Sequence, residues 1–209
     1  MQGRVVKAIC FGEELRRDEP PAKETRAEIR RGKLLTIASD LFATKGYDAT
    51  SIRDVAAAAR MNSASLYYHF PSKEEMFIAV ESASVDKIHG RVATALAVPF
   101  SDPWDRFEAG AVAHCEALLD RSGFRVLVTL LYPPGLSEEV RKRLAARRDR
   151  FELMMTEVIE ALPLPDDVDR FVFRKHYLGG MNAVGVWYSP GGGLQPAEIA
   201  RAIVRALKR

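Results

Sequence analysis

The chain has 209 residues, 47% of them hydrophobic, and a formal net charge of only +3. That is enough apolar material for one large or two modest cores, yet no apolar run reaches the roughly 18 residues a membrane span requires. The two cysteines, Cys10 and Cys115, offer neither a disulfide framework nor zinc spacing, so a reducing cytoplasm is the expected compartment, with no signal peptide and no membrane partner.

The charge is unevenly placed. Residues 1–73 hold thirteen Lys/Arg against nine Asp/Glu, whereas residues 74–209 hold eighteen against nineteen. A mildly basic N-terminal third suits contact with phosphates. Residues 1–24 mix charges with Pro20-Pro21 and keep no period, which predicts a flexible arm. At Thr25 a capping box with Glu28 opens a helix whose stripe runs through Ile29, Leu34, Ile37-Ala38 and Leu41-Phe42, and Gly46 closes it. A second short helix follows from Ile52 to Arg60, capped by Thr50 or Ser51, with Val55, Ala56 and Ala59 forming a small-residue face that another helix can approach closely. After a turn at Arg60 and Met61, Asn62 or Ser63 caps a third helix carrying Ala64, Leu66, Tyr67 and Phe70 among Ser63, Ser65, Tyr68 and His69. Two short helices joined by a tight turn have the shape that enters the major groove of DNA.

Pro71 punctuates the chain, and Ser72 with Glu75 makes a capping box for a helix through Met76, Phe77, Val80 and Val85 to about Ala95. After a break at Val98–Pro103, Asp102 and Pro103 start a helix to Asp120 bearing Trp104, Phe107, Ala111, His114, Cys115 and Leu118. Gly123 to Tyr132 reads as a short buried helix, stopped by Pro133-Pro134-Gly135. Ser137 opens a long helix to about Leu162, with Val140, Leu144, Phe151, Met154-Met155 and Val158-Ile159 at bundle spacing. Its dense positive stretch, Arg141 to Arg150, reads as a solvated face. A further helix runs from Val168 to Tyr188, and a terminal one from Pro196 to Leu207. No strand pattern or internal repeat occurs. The expected fold is all-α: an N-terminal three-helix bundle with a helix-turn-helix at residues 25–73, followed by a C-terminal helical ligand-binding and dimerisation domain at 74–209.

The stretch Leu66-Tyr67-Tyr68-His69-Phe70-Pro71-Ser72-Lys73-Glu74, with Ile52, Val55-Ala56, Ala59 and the preceding Leu41-Phe42-Ala43-Thr44-Lys45-Gly46-Tyr47 and Thr50, resembles the DNA-binding domain of the tetracycline-repressor (TetR/AcrR) family. The resemblance covers about a quarter of the chain. Two positions depart from it: the turn usually carries Gly where Arg60 stands, and a hydroxyl residue is commoner at Asn62. A positive φ at Arg60 costs ~1 kcal/mol relative to Gly.

The resemblance implies a regulator, more a repressor than an activator, released from operator DNA by a small molecule. On this reading Ser63, Ala64 and Ser65 meet base edges and thymine methyls. Tyr67, Tyr68, His69 and Lys73 meet the backbone, and Thr50 or Ser51 offers a helix N-terminus to a phosphate. One such unit spans few base pairs, so a homodimer on a pseudo-palindrome is expected. Interior glycines weaken a helix, so Gly179, Gly180, Ala183 and Gly185, with Trp187, mark the expected dimer surface. Phe107, His114, Phe151, Met155, Arg174 and Tyr177, with Cys115, Leu127, Leu131, Phe171 and Met181, are the candidate pocket lining, suited to a largely apolar effector carrying an acid or thioester that Arg174 meets. No cofactor is implied. His114-Cys115 is no metal pair, because adjacent helical residues diverge by ~100°. The other classes are an interaction module and an enzyme; no phosphate-cradling loop, zinc motif or nucleophile elbow is present for the latter, and no enzyme is expected.

Overall fold

A computed structural model describes residues 25–123, 125–126 and 132–208. Eight helices lie among the described residues: α1 (Arg26–Lys45), α2 (Ile52–Ala58), α3 (Ser63–His69), α4 (Lys73–Leu96), α5 (Pro103–Leu119), α6 (Glu138–Glu160), α7 (Arg170–Trp187) and α8 (Pro196–Leu207). The arm expected over residues 1–24, Cys10 within it, and most of the helix expected over Gly123–Tyr132 fall outside the described residues.

The helix starts follow local chemistry. Thr25 Oγ1 accepts from the Glu28 N–H while Glu28 Oε2 accepts from the Thr25 N–H at 2.7 Å, and Ser51 and Asp54 make the same reciprocal pair. Each box satisfies two amides that helix geometry leaves without partners. Asp102 accepts from the Trp104 N–H, with Pro103 at the first helical position. Ser72 caps α4 through the Glu75 N–H, but the Glu75 carboxylate goes to Arg143 at 2.5 Å instead of back to the cap. The helix expected from Val168 begins later, at Arg170, because Asp169 accepts from the Val172 N–H and sets the start.

Two cores result. The first gathers Leu34, Ala38 and Phe42 of α1, Val55 and Ala56 of α2, and Leu66 and Phe70. It continues through Met76, Phe77 and Val80 of α4 and takes in Leu136, just before α6, with Val140 and Leu144 from the start of that helix. Phe77 packs edge-on to both Phe42 and Tyr47, at 5.4 and 4.9 Å between ring centres. Offset and edge contacts of this kind are the favoured aromatic geometry. The second core lies between the far half of α4 (Ile88, Val92), α5, the second half of α6, α7 and α8. Within it Phe107 contacts Trp104, Phe173 and Tyr177. Helix α4 is thus shared: its first two turns belong to the small unit and its last turns to the bundle.

The positive stretch of α6 is more than a solvated face. Arg141 donates to the carbonyls of Pro133 and Pro134, Arg143 pairs with Glu75, and the Arg148 guanidinium lies 4.5 Å from the Tyr132 ring centre. The first two therefore fasten the turn before α6 and the start of α4.

Candidate DNA interface and sensor cavity

The turn between α2 and α3 is closed by the Met61 N–H donating to the Ala56 carbonyl, and Arg60 stands at φ 55°. Asn62 caps α3, accepting from the Ser65 N–H at 2.7 Å. Leu66 and Phe70 are buried and anchor the helix from below. Ala64, Ser65, Tyr67 and Tyr68 are exposed on its outer face, with Ser63 and His69 partly so. Tyr68, at 88% exposure, touches only the edge of His69, so its hydroxyl is free to reach outward. Tyr67 is half exposed. Lys73 Nζ donates to the Asp48 carbonyl at 3.2 Å and sits 4.1 Å from the Tyr47 ring centre. That clamp holds a cation beside the reading helix at little further entropic cost.

At the start of α2 the structure separates the two expected caps. Ser51 is the cap; Thr50 is 1% exposed and donates inward to the carbonyls of Gly46 and Leu41. Thr50 therefore ties α1 to α2 and turns no side chain to DNA. The Ser51 hydroxyl and N–H also hold the Asp54 carboxyl down to about 2, with Lys45 adding to the effect. An ionised Asp54 at that N-terminus competes with a phosphate, so Ser51 is a weaker anion seat than helix geometry alone suggests.

In the bundle, α4, α5, α6 and α7 enclose a cavity of about 110 Å³. Its polar wall is Glu81, Ser84, His114, Arg148, Glu152 and Asn182, and its apolar wall includes Ile88, Leu118, Phe151 and Leu178. His114 is wholly buried, and among the described residues neither ring nitrogen has a hydrogen-bond partner. Burial pushes its imidazole down to about 4; the Asn182 side chain opposes this but stands outside good hydrogen-bond geometry. Neutral imidazole carries one donor and one acceptor, and among the described residues neither is met by a well-formed hydrogen bond.

Of the expected lining residues, His114 and Phe151 are in the wall, in edge contact at 5.1 Å between ring centres. Phe107, Met155 and Tyr177 are fully buried in the bundle core, away from the lining, as are Cys115 and Met181. Arg174 is engaged by the Thr156 hydroxyl and, at 3.8 Å, by Glu152. Phe171 is exposed, and Leu127 and Leu131 lie outside the described residues. The cation on the cavity wall is Arg148. Glu81, buried in the middle of α4, and Asn182 of α7 also line the wall and were missed; a lone acid on an apolar helix face was the one sequence signal for Glu81. On α7, Gly179 and Gly180 are exposed, and a Cβ added at either meets nothing within 4 Å. Ala183 and Gly185 are partly exposed, and Val186 and Trp187 are exposed beside them. Among the described residues no helix is long and apolar enough to cross a membrane.

Residues 34–80 match the family model of bacterial regulatory proteins, tetR family, and residues 101–209 match that of the tetracyclin repressor-like C-terminal domain. The HTH-type transcriptional repressor KstR2 of Mycolicibacterium smegmatis is 30% identical over 190 residues, covering 87% of this chain and 90% of that protein. Among solved structures, AibR in complex with isovaleryl coenzyme A and operator DNA superposes with a TM-score of 0.74 at 26% identity, covering 85% of this chain and 97% of AibR. The ketosteroid transcriptional regulator KstR2 of Mycobacterium tuberculosis superposes at 0.70, also at 26% identity, covering 85% and 92%. An all-α chain with an exposed reading helix at one end and a cavity-bearing bundle at the other, matched along both parts, belongs to the tetR family of bacterial DNA-binding regulators.

Proposed function

We propose that the protein is a cytoplasmic, ligand-responsive repressor that holds a pseudo-palindromic operator as a homodimer and releases it when the bundle cavity fills. The observation that carries the sensing half is His114: a fully buried imidazole with no well-formed hydrogen bond among the described residues, on the wall of a cavity bounded by the helix that leads to the reading unit. An unpaired buried polar group is costly to leave unmet, so a ligand that hydrogen-bonds it gains more than the contact alone would suggest. A ligand can bias the DNA-binding state only through such differential contacts.

The cavity chemistry narrows the effector. Of the two wall carboxylates, Glu152 is taken up by Lys175 at 2.6 Å and Arg174 at 3.8 Å, and the neutral His114 ring stands beside an apolar wall. A neutral carbonyl on a short apolar chain suits that combination. A thioester fits that description, and AibR, whose structure holds isovaleryl coenzyme A, supports the same class. Dimerisation through Gly179, Gly180, Ala183, Gly185 and Trp187 is supported by the bare surface at the two glycines, where no neighbour within the subunit requires a missing side chain. The relatives are transcriptional regulators, and the reading assigns no catalysis.

Selection of bound sequences from a random duplex pool tests the DNA half. A pseudo-palindrome with half-sites about one helical turn apart is expected. Isovaleryl coenzyme A and the free acid are then titrated against the recovered duplex. Release by the thioester at concentrations where the acid is inert supports the effector class; release by neither overturns it.

A further inference from the structure

Beside the reading helix runs an open groove of about 570 Å³, set between the first turns of α1 and the outer flank of α3. Arg26, Arg30 and Arg60 line it together with Ser65, Tyr68 and His69, and among the described residues no acidic one does. All three arginines are exposed, and among the described residues none makes an ion pair. Arg26 and Arg30 are one helical turn apart, so their side chains rise from the same face of α1. Arg60 reaches the groove from the turn, at a backbone conformation that disfavours every side chain: φ 55°, the one positive φ outside glycine among the described residues.

Three unpaired guanidiniums around one groove repel each other, and the left-handed backbone at Arg60 adds strain. Neither feature helps the free protein fold. Both make sense if an anion of extended shape lies in the groove. The reading helix fixes which anion that is. With α3 in the major groove, Ser65 and Tyr68 face one strand, and the groove lies against that strand's sugar-phosphate backbone. We propose that Arg60, with Arg26 and Arg30, forms a phosphate seat for the DNA strand flanking the bases read by α3, and that Arg60 is kept at a strained turn position for that contact. The proposal rests on the DNA-binding reading above. Arginine is the residue type for this task, since its planar fork meets phosphate oxygens in pairs.

The experiment compares wild type, Arg60→Gly and Arg60→Lys, using a fluorescent random-sequence duplex of 30 base pairs across a salt series, with thermal melting of each protein. Glycine relieves the backbone strain, so Arg60→Gly is expected to melt no lower than wild type. It should nonetheless bind DNA more weakly, with a salt slope shallower by about one unit per bound subunit. The gap to wild type should then close by about threefold per subunit between about 50 and 200 mM salt. Arg60→Lys should keep most of the slope. Equal affinity and slope for Arg60→Gly and wild type would overturn the proposal while leaving the regulator reading intact. Absence of any salt-dependent duplex binding by wild type would overturn both.

Discussion

Lys73 and Ser65 make contrasting experiments because their surroundings differ. Lys73 is a clamped point charge with no donor pattern to distinguish bases, so Lys73→Ala should weaken binding to all duplexes alike and shallow the salt slope by about one unit. Ser65 is exposed on the reading face, and Ser65→Ala should alter preference at a few base positions, seen by repeating the selection; a uniform loss would refute its role. His114 gives a pH signature. Its folded pKa, about 4, lies below the ordinary value of 6.5, so the fold favours the neutral ring. Above pH 6.5 both states are neutral and stability is complete. As pH falls, the unfolded chain takes up a proton that the folded one refuses, and by pH 5 this costs about 2 kcal/mol. Denaturant melts at pH 7 and pH 5 should show that loss in wild type and its absence in His114→Phe. Of the residues the sequence pattern offered, His114 and Phe151 stand in the cavity wall, whereas Phe107, Met155 and Tyr177 stand in the core. Periodicity identifies the inward face of a helix; whether that face meets another helix or an unfilled space depends on where four helices converge.

At the level of elements, the start of α6 is bound to the small unit in two ways, and their magnitudes differ. The Arg143–Glu75 pair is more than a third exposed at both ends, and such pairs contribute ~0.2–1 kcal/mol. Leu144, by contrast, is 2% exposed within the first core, and truncating a buried leucine costs about 2–5 kcal/mol. Leu144→Ala should therefore lower the stability of the small unit sharply in chemical denaturation, and Arg143→Ala hardly at all. A larger loss from Arg143→Ala than from Leu144→Ala would reverse this ranking. The helices and their caps were legible in the chain because their causes are local: Thr25 with Glu28, Asp102 before Pro103, Gly46 after Lys45. What Arg141, Arg143 and Arg148 do was not. Each finds its partner across a chain reversal or on another helix, so a run of basic residues that is mostly solvent-exposed also carries contacts that its local pattern does not show.

For the whole molecule, the proposed dimer surface is the one α7 leaves uncovered. Gly180 has open space around it, so Gly180→Leu should fold as a subunit while placing a bulky chain where a second copy is expected to sit. Sedimentation should report monomers, and operator binding should fall with the loss of the paired half-site contact. A dimer of unchanged stability would exclude this face. The bareness of Gly179 and Gly180 was only half readable from sequence: unfavourable residues inside a helix signal a close approach, but not whether the neighbour is the same chain or another. One feature of α4 also sets the scale of any regulated motion. Its 24 residues form a rod of about 36 Å, rooted in the bundle at Val92 and carrying the small unit at its other end. From Val92 to Lys73 the lever is about 29 Å, so a swing of about 5° at the root displaces the tip by about 2.5 Å, against a base-pair rise of about 3.4 Å. In the proposed dimer, two such rods swinging in opposite senses would mis-space the paired heads by about one and a half steps of the duplex, so an angular change within the ordinary scatter of helix packing would be gear enough to disengage them.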